Sequence, residues 1–345
     1  MIGFPSSIYV LTIALAKMTT PKVKIILDTD PGGDDAFALL WLLSLVKQGL
    51  VNLIAVTTVD GNVHAKYTFV GASKLLKLAG FDDVEVAKGI IGGSASDIED
   101  AGSLHGADGM GNLTHMLPEC TNNYETARFA DEVLIEKLNA LPGEITIIAI
   151  APLTNLAAAE IKSPGILKKA KQIIIMGGAF LTHGNLTPEA EFNIAYDAIA
   201  AKIVFQSRDD LIVLPLDVTR KLIFTNLIAQ NIIKVNINSA ISRFIRSLCE
   251  FMCQNALSYR ETNGLEGFLV HDAVTLAYLF YPETLSFRRA LVKIETAGEW
   301  TMGKTLFDNR HKTKVGANAW VAMDVDPVNL LAAMSEDLKI LIQNT

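Results

Sequence analysis

Ile25-Ile26-Leu27-Asp28-Thr29-Asp30-Pro31-Gly32-Gly33-Asp34-Asp35-Ala36 runs three apolar residues into four carboxylates within eight positions. The first half reads as a short buried strand. The second reads as a helix start, because an apolar helical pattern follows from Ala36. Pro31, Gly32 and Gly33 supply the turn between them. The carboxylates therefore occupy the loop at the carboxyl end of a strand, the edge where open α/β sheets bind ligands.

That crowding is costly. Two carboxylates about 5 Å apart repel by roughly 3 kcal/mol at an effective dielectric near 20, and the stretch holds no Lys or Arg. Backbone N–H groups and a helix dipole offset about 1 kcal/mol per anion. A hard cation offsets far more, and carboxylate oxygens suit Ca²⁺ or Mg²⁺. Helix capping explains Asp34 and Asp35 but leaves Asp28 and Asp30 unexplained. An EF-hand is excluded: counted from Asp28, position five is Gly32 and position twelve is Leu39, not Glu.

The 345 residues allow one large α/β domain or two small ones, and half of them are hydrophobic. The net charge of −7 comes without any basic block, which argues against nucleic acid as a partner. Cys120, Cys249 and Cys253 have no zinc-like spacing with His and read as free thiols in a reducing compartment. Residues 1–21 read as an extension ahead of the domain. Its nine-residue apolar run Ile8–Ala16 resembles a weak signal-peptide core, but no Lys or Arg precedes it and nine residues cannot span a bilayer. A cytoplasmic location without membrane contact is expected, with secretion the alternative if residues 1–16 act as a signal.

From Val23 onward, short apolar runs alternate with helical segments. Strands are expected at Val51–Val59, Val84–Ala87, Ile145–Ile150, Gln172–Met176, Leu211–Leu216, Leu291–Thr296 and Ala319–Val325. Helices are expected at Asn62–Gly80, Tyr124–Ala140, Leu153–Glu160, Asp197–Gln206, Leu227–Arg260 and His271–Phe280. Gly89–Leu113 is long and irregular, which in a compact domain points to function. The alternation implies one domain over 22–345 with a mainly parallel central sheet flanked by helices.

Three further stretches carry polar residues at strand ends. Ile145–Ala157 is a strand, tight turn and helix start. Met176-Gly177-Gly178-Ala179, Gly184-Asn185 and Glu191-Phe192-Asn193 form a glycine-rich loop whose amides and carboxylate suit sugar hydroxyls. His271-Asp272-Ala273 opens a helix, where Asp is usually a cap. Gly298–Thr305 (GEWTMGKT) fits a P-loop pattern, but the residues after Thr305 make a poor helix, so nucleotide binding there is rejected.

The run Asp28–Ala36 resembles the DTDxGxDDA signature of the inosine–uridine nucleoside hydrolases. The PLTN turn, the MGG…GN…EFN stretch and His271-Asp272 resemble later motifs of that family, in order, from Lys22 to about Asp326. The resemblance implies a Rossmann-like nucleoside hydrolase fold and cleavage of the N-glycosidic bond of ribonucleosides to ribose and free base, in nucleoside salvage. It implies one Ca²⁺ per chain on Asp30, Asp35, Asp272 and the Ile150 carbonyl, with Asp30 also the general base. It assigns Asp34, Asn62, Asn185, Glu191 and Asn193 to the ribose, and His271 and His105 to the leaving base, with His271 its acid. Asp28 would order the loop, and Tyr259 and Arg260 would serve as lid residues. A homodimer or homotetramer is also implied. Two other readings remain open. An acidic-loop phosphotransferase needs a phosphate-binding Lys or Arg that the sequence does not offer, and a non-catalytic nucleoside-binding protein has no need of Asp30.

Overall fold

The computed structural model describes residues 22–90, 100–308 and 316–343. The 1–21 extension and the 91–99 part of the irregular loop lie outside them. The strands are β1 (Val23–Thr29), β2 (Val51–Thr58), β3 (Val86–Ala87), β4 (Ile145–Ala149), β5 (Gln172–Met176) and β6 (Leu211–Leu214), then β7 (Ile223–Phe224), β8 (Phe268–Leu269), β9 (Leu285–Ala290), β10 (Val292–Ile294), β11 (Thr305–Phe307) and β12 (Ala319–Val325). Eight of them form one sheet in the order β3-β2-β1-β4-β5-β6-β12-β9, parallel throughout except where β9 meets β12.

The strands are continuous apolar runs because helices cover both faces of the sheet. Side chains alternate between two cores, as strand geometry requires. Ile25 and Leu27 of β1, Ile148 of β4 and Ile174 of β5 enter one core. Ile26, Ile147 and Ile173 enter the other. The winding direction reverses between β1 and β4, and at such a switch point the carboxyl ends of the strands open a crevice.

The helix Gly33–Lys47 is buried from Gly33 to Leu45. It is apolar on all sides because the C-terminal helix Pro327–Gln343 covers its outer face. Trp41 Nε1 donates to Asp337 Oδ2 at 2.8 Å, and Tyr281 Oη and Gln48 Nε2 donate to the same carboxylate at 2.6 and 2.8 Å. Both oxygens of that buried carboxylate therefore have hydrogen-bond donors.

Several expected boundaries are corrected. The region Leu227–Arg260 is two helices, Asn226–Ile233 and Ala240–Ser258. They are separated where Ser239 Oγ accepts the Ser242 N–H at 3.0 Å and caps the second helix. The helix expected from Tyr124 starts at Ala130, because Arg128 and Ala130 pair their backbones with Lys88 instead. The half-buried, charged β9 at the sheet edge was not anticipated, and the strand read at Leu291–Thr296 shrinks to β10. β10 pairs antiparallel with β11, so Gly298–Thr305 is a hairpin. Thr305 Oγ1 there donates to the Ala179 carbonyl at 2.8 Å and accepts the Ala179 N–H at 2.9 Å, which braces the Met176–Ala179 loop. Among the described residues no helix is long and apolar enough to cross a membrane.

Candidate active site

β1 delivers Thr29 and Asp30 to the crevice, and the turn at Pro31–Gly32 starts the helix that carries Asp34 and Asp35. Thr29 Oγ1 donates to Asp35 Oδ1 at 2.6 Å, and the Gly32 N–H donates to Asp35 Oδ2 at 2.9 Å. Asn62, just past β2, donates its N–H to Asp30 Oδ2 at 2.7 Å. Its Nδ2 donates to the Asp30 carbonyl at 3.1 Å and to Asp35 Oδ2 at 2.9 Å. The packing is close enough to require glycine: a Cβ on Gly61 would stand 2.0 Å from Asp30 Oδ2. Asp28 Oδ1 accepts from Thr57 Oγ1 at 2.5 Å and Asn155 Nδ2 at 2.8 Å, tying β1 to β2 and to the first turn of the helix Thr154–Lys162.

Asp272 reaches the same place from the far end of the chain, between β8 and the helix Val274–Phe280. Carboxylate oxygens of Asp34, Asp35 and Asp272 lie within 4.8 Å of one another, and all three residues are buried. At that spacing each like-charged pair costs roughly 3 kcal/mol at an effective dielectric near 20. Burial, then the charge of Asp35, holds Asp30 well above the usual carboxylate range, and burial followed by Asp34 does the same for Asp272. Among the described residues no Lys or Arg is one of the chief groups acting on Asp30, Asp34 or Asp272, and Asp30 Oδ1 is buried without a hydrogen-bond partner. Of the expected metal ligands, Asp35 and Asp272 are thus brought together; Asp30 stands outside that group of three, although its charge raises Asp272 and it is itself raised by Asp35. Asp34, read from sequence as a sugar ligand, stands in the cluster too.

The opposite rim comes from the loop after β5. Glu191 caps the helix Phe192–Tyr196: its Oε1 accepts the Asn193 N–H at 2.9 Å, and its Oε2 accepts the N–H groups of Gly178 and Ile194 at 2.9 and 3.0 Å. Asn193 Nδ2 donates to the Ile150 and Met176 carbonyls, at 3.2 Å each. The Ile150 carbonyl therefore faces the crevice from the end of β4. Asn185 Oδ1 accepts the Phe192 N–H at 2.9 Å. With Asp34, Asp35, Asn62 and Asp272 these residues line a cavity of about 150 Å³.

Both expected histidines line it as well. His271 Nδ1 lies 2.7 Å from Thr219 Oγ1, and burial pushes its pKa down to about 3. His105 Nδ1 accepts the Gly33 N–H at 2.9 Å, and burial pushes it down to about 4. Both rings are neutral near pH 7. Of the two residues read as a lid, Tyr259 is 57 % exposed and Arg260 turns the chain with φ 57°; neither is among the residues lining the cavity. Glu261 enters instead, together with Met252 and Leu104. Met252 sits on the buried face of a helix and is indistinguishable from core by pattern. Glu261 has no local signal at all. A larger groove of about 960 Å³ lies at the other edge of the sheet, around Lys202, Arg208 and Lys293. It is without the crowded, unanswered carboxylates, since Arg208 pairs with Asp210 at 2.8 Å.

Residues 25–332 match the family model described as inosine-uridine preferring nucleoside hydrolase. The chain is 35 % identical over 326 residues to a probable uridine nucleosidase 1 of Oryza sativa subsp. japonica, covering 91 % of this chain and 95 % of that protein. It is 33 % identical over 307 residues to the inosine-uridine preferring nucleoside hydrolase of Crithidia fasciculata, covering 89 % and 94 %. Among solved structures, the plant nucleoside hydrolase PpNRh1 superposes with a TM-score of 0.82 at 33 % identity, over 92 % of this chain and 99 % of that one. A purine-preferring ribonucleoside hydrolase from Gardnerella vaginalis superposes with a TM-score of 0.84 at 26 % identity, over 93 % and 100 %.

Proposed function

From the premise that the chain belongs to the inosine–uridine preferring nucleoside hydrolase family, hydrolases acting on N-glycosyl compounds, we propose that it cleaves ribonucleosides to ribose and free base. The observation that carries the proposal is the convergence of Asp34, Asp35 and Asp272 oxygens within 4.8 Å, with Asp30 Oδ1 buried and without a hydrogen-bond partner among the described residues. That donor set fits a hard divalent ion. Asp30, Asp35, Asp272 and the Ile150 carbonyl would hold one Ca²⁺ per chain. When bound, the ion supplies polarisation of a water and orientation of the ribose diol.

The chain's own groups do the rest. Asp30 Oδ2 is fixed by the Asn62 N–H, which leaves Oδ1 to take the proton of the attacking water. General-base catalysis of this kind contributes about 10²–10⁴-fold. Asp34, Asn62, Asn185, Glu191 and Asn193 hold the sugar hydroxyls. The carboxylates of Asp34 and Glu191 favour the oxocarbenium character that develops as the glycosidic bond breaks. His271, with Nδ1 2.7 Å from Thr219 Oγ1, acts as the acid from its imidazolium form: it takes up a second proton as charge builds on the departing base, gives that proton to the base and returns to neutral imidazole, and His105 lines the same cavity. The proposal extends, on the family likeness, to cytoplasmic nucleoside salvage by a homodimer or homotetramer. Uridine leads the substrates to test, because the plant relatives are uridine nucleosidases by name.

The test is a reducing-sugar assay on purified protein with uridine and inosine, alongside metal analysis. Release of ribose, its loss on chelation and its return with Ca²⁺ are expected. Absence of sugar release from every ribonucleoside in metal-replete buffer would overturn the reading.

A further inference from the structure

Glu261 is the carboxylate of the cavity that neither joins the acidic cluster nor caps a helix. The helix Ala240–Ser258 closes with the Glu261 N–H on the Ala256 carbonyl at 3.0 Å. Two non-glycine residues then adopt left-handed backbone, Arg260 at φ 57° and Asn263 at φ 53°. Each costs about 1–2 kcal/mol, and the reversal they make turns Tyr259 outward and Glu261 inward. Such strain persists where the surroundings hold a side chain for a purpose.

Among the described residues no hydrogen bond acts on the Glu261 carboxylate; burial raises it to about 7, opposed by the charge of Arg220. Arg220 is itself engaged with Thr182 Oγ1 at 3.0 Å and the carbonyls of His183 and Gly184 at 2.9 and 2.7 Å. The Arg220 charge acts on His271 as well, the Glu261 charge acts on Asp34, and Glu261, His271 and Asp34 line the one cavity. A half-buried carboxylate facing a cavity is an acceptor free to take a donor that arrives with a ligand, and the exchange gains most once the ligand shuts out water. The ribose hydroxyls already have Asp34, Asn62 and Glu191. The remaining donors on a nucleoside are the ring N–H and amino groups of its base.

Resting on the nucleosidase reading above, we propose that Glu261 is a specificity-determining residue that accepts a hydrogen bond from a ring N–H or amino group of the leaving base. A pocket built to take such a donor rejects an analogue lacking it far more strongly than an apolar pocket rejects a change of size.

The experiment compares uridine, 3-methyluridine and p-nitrophenyl riboside on wild type, Glu261→Met and Glu261→Gln, with inosine and 1-methylinosine as the purine pair. Wild type should favour the unmethylated nucleoside by about 100-fold or more in kcat/KM. Glu261→Met should collapse that ratio to within about 3-fold, chiefly through KM for the unmethylated substrate, and leave nitrophenyl riboside turnover nearly unchanged. Glu261→Gln, which keeps one acceptor oxygen, should restore an intermediate ratio. Equal wild-type rates on both members of a pair, or parallel losses on all substrates in Glu261→Met, would overturn the assignment and leave the hydrolase standing. A wild type inert toward every riboside would overturn both.

Discussion

Two parts of the cavity lining are built from different kinds of chain. One part of the lining, Asp34, Asp35 and Asn62 backed by Asp30, comes from neighbouring segments at the ends of β1 and β2 and is locked by short hydrogen bonds and glycine contacts. A second part gathers Leu104, His105, Met252, Glu261 and His271 from four separate segments. The first is rigid and repeats one chemistry, carboxylate oxygen. The second is assembled through long-range packing and mixes donors, acceptors and apolar atoms. The difference separates two tasks: the rigid side suits chemistry common to all ribosides, and the assembled side suits recognition of whichever base is attached.

The largest test of that division is Asp30→Asn, which removes a base without changing shape. Turnover should fall by about 10²–10⁴-fold on nucleosides and on nitrophenyl riboside alike while metal stays bound. Near wild-type turnover would remove Asp30 from the chemistry and break the division at its rigid side. His271→Ala should act unequally. Uridine or inosine hydrolysis should slow by about 10²-fold, whereas nitrophenyl riboside, whose leaving group needs no proton, should slow far less. Equal losses would move His271 to the common chemistry. The smallest effect belongs to Asn255, whose Nδ2 donates to the Leu104 carbonyl at 2.8 Å and so ties the Ala240–Ser258 helix to the turn that carries His105. Asn255→Ala should cost about 1 kcal/mol in a denaturant midpoint series and raise KM more than it lowers kcat. A purely kcat effect would show that this wall serves the reaction step and not recognition.

The same division sets what the sequence makes legible. Asp28, Asp30, Asp34 and Asp35 stand out because repulsion within eight contiguous positions is visible without a fold. The strands that deliver them are equally plain, since two-sided burial demands unbroken apolar runs like Ile145–Ala149. Asp272 and the Ile150 carbonyl are ordinary β–α junction residues in isolation, and only the likeness of their motifs singles them out. Glu261 was missed because its inward turn depends on left-handed backbone at Arg260, a conformation that Arg does not advertise. The break between the two helices after Asn226 was missed because Val235 and Ile237 prolong the apolar rhythm, although Ser239 was a readable cap. Charged residues in Leu285–Ala290 likewise hid an edge strand, where one partner and partial exposure tolerate Arg288 and Arg289.

The amide of Gly33 fixes more than a loop. Because it donates to His105 Nδ1, that ring must carry its hydrogen on Nε2 and presents a single polarity to whatever enters. A buried imidazole wired in this way can lend a hydrogen bond to an oxygen or bare nitrogen of a guest but can take none in return. The backbone of the helix start thus dictates, through one ring, which edge of a guest molecule is welcome on that flank.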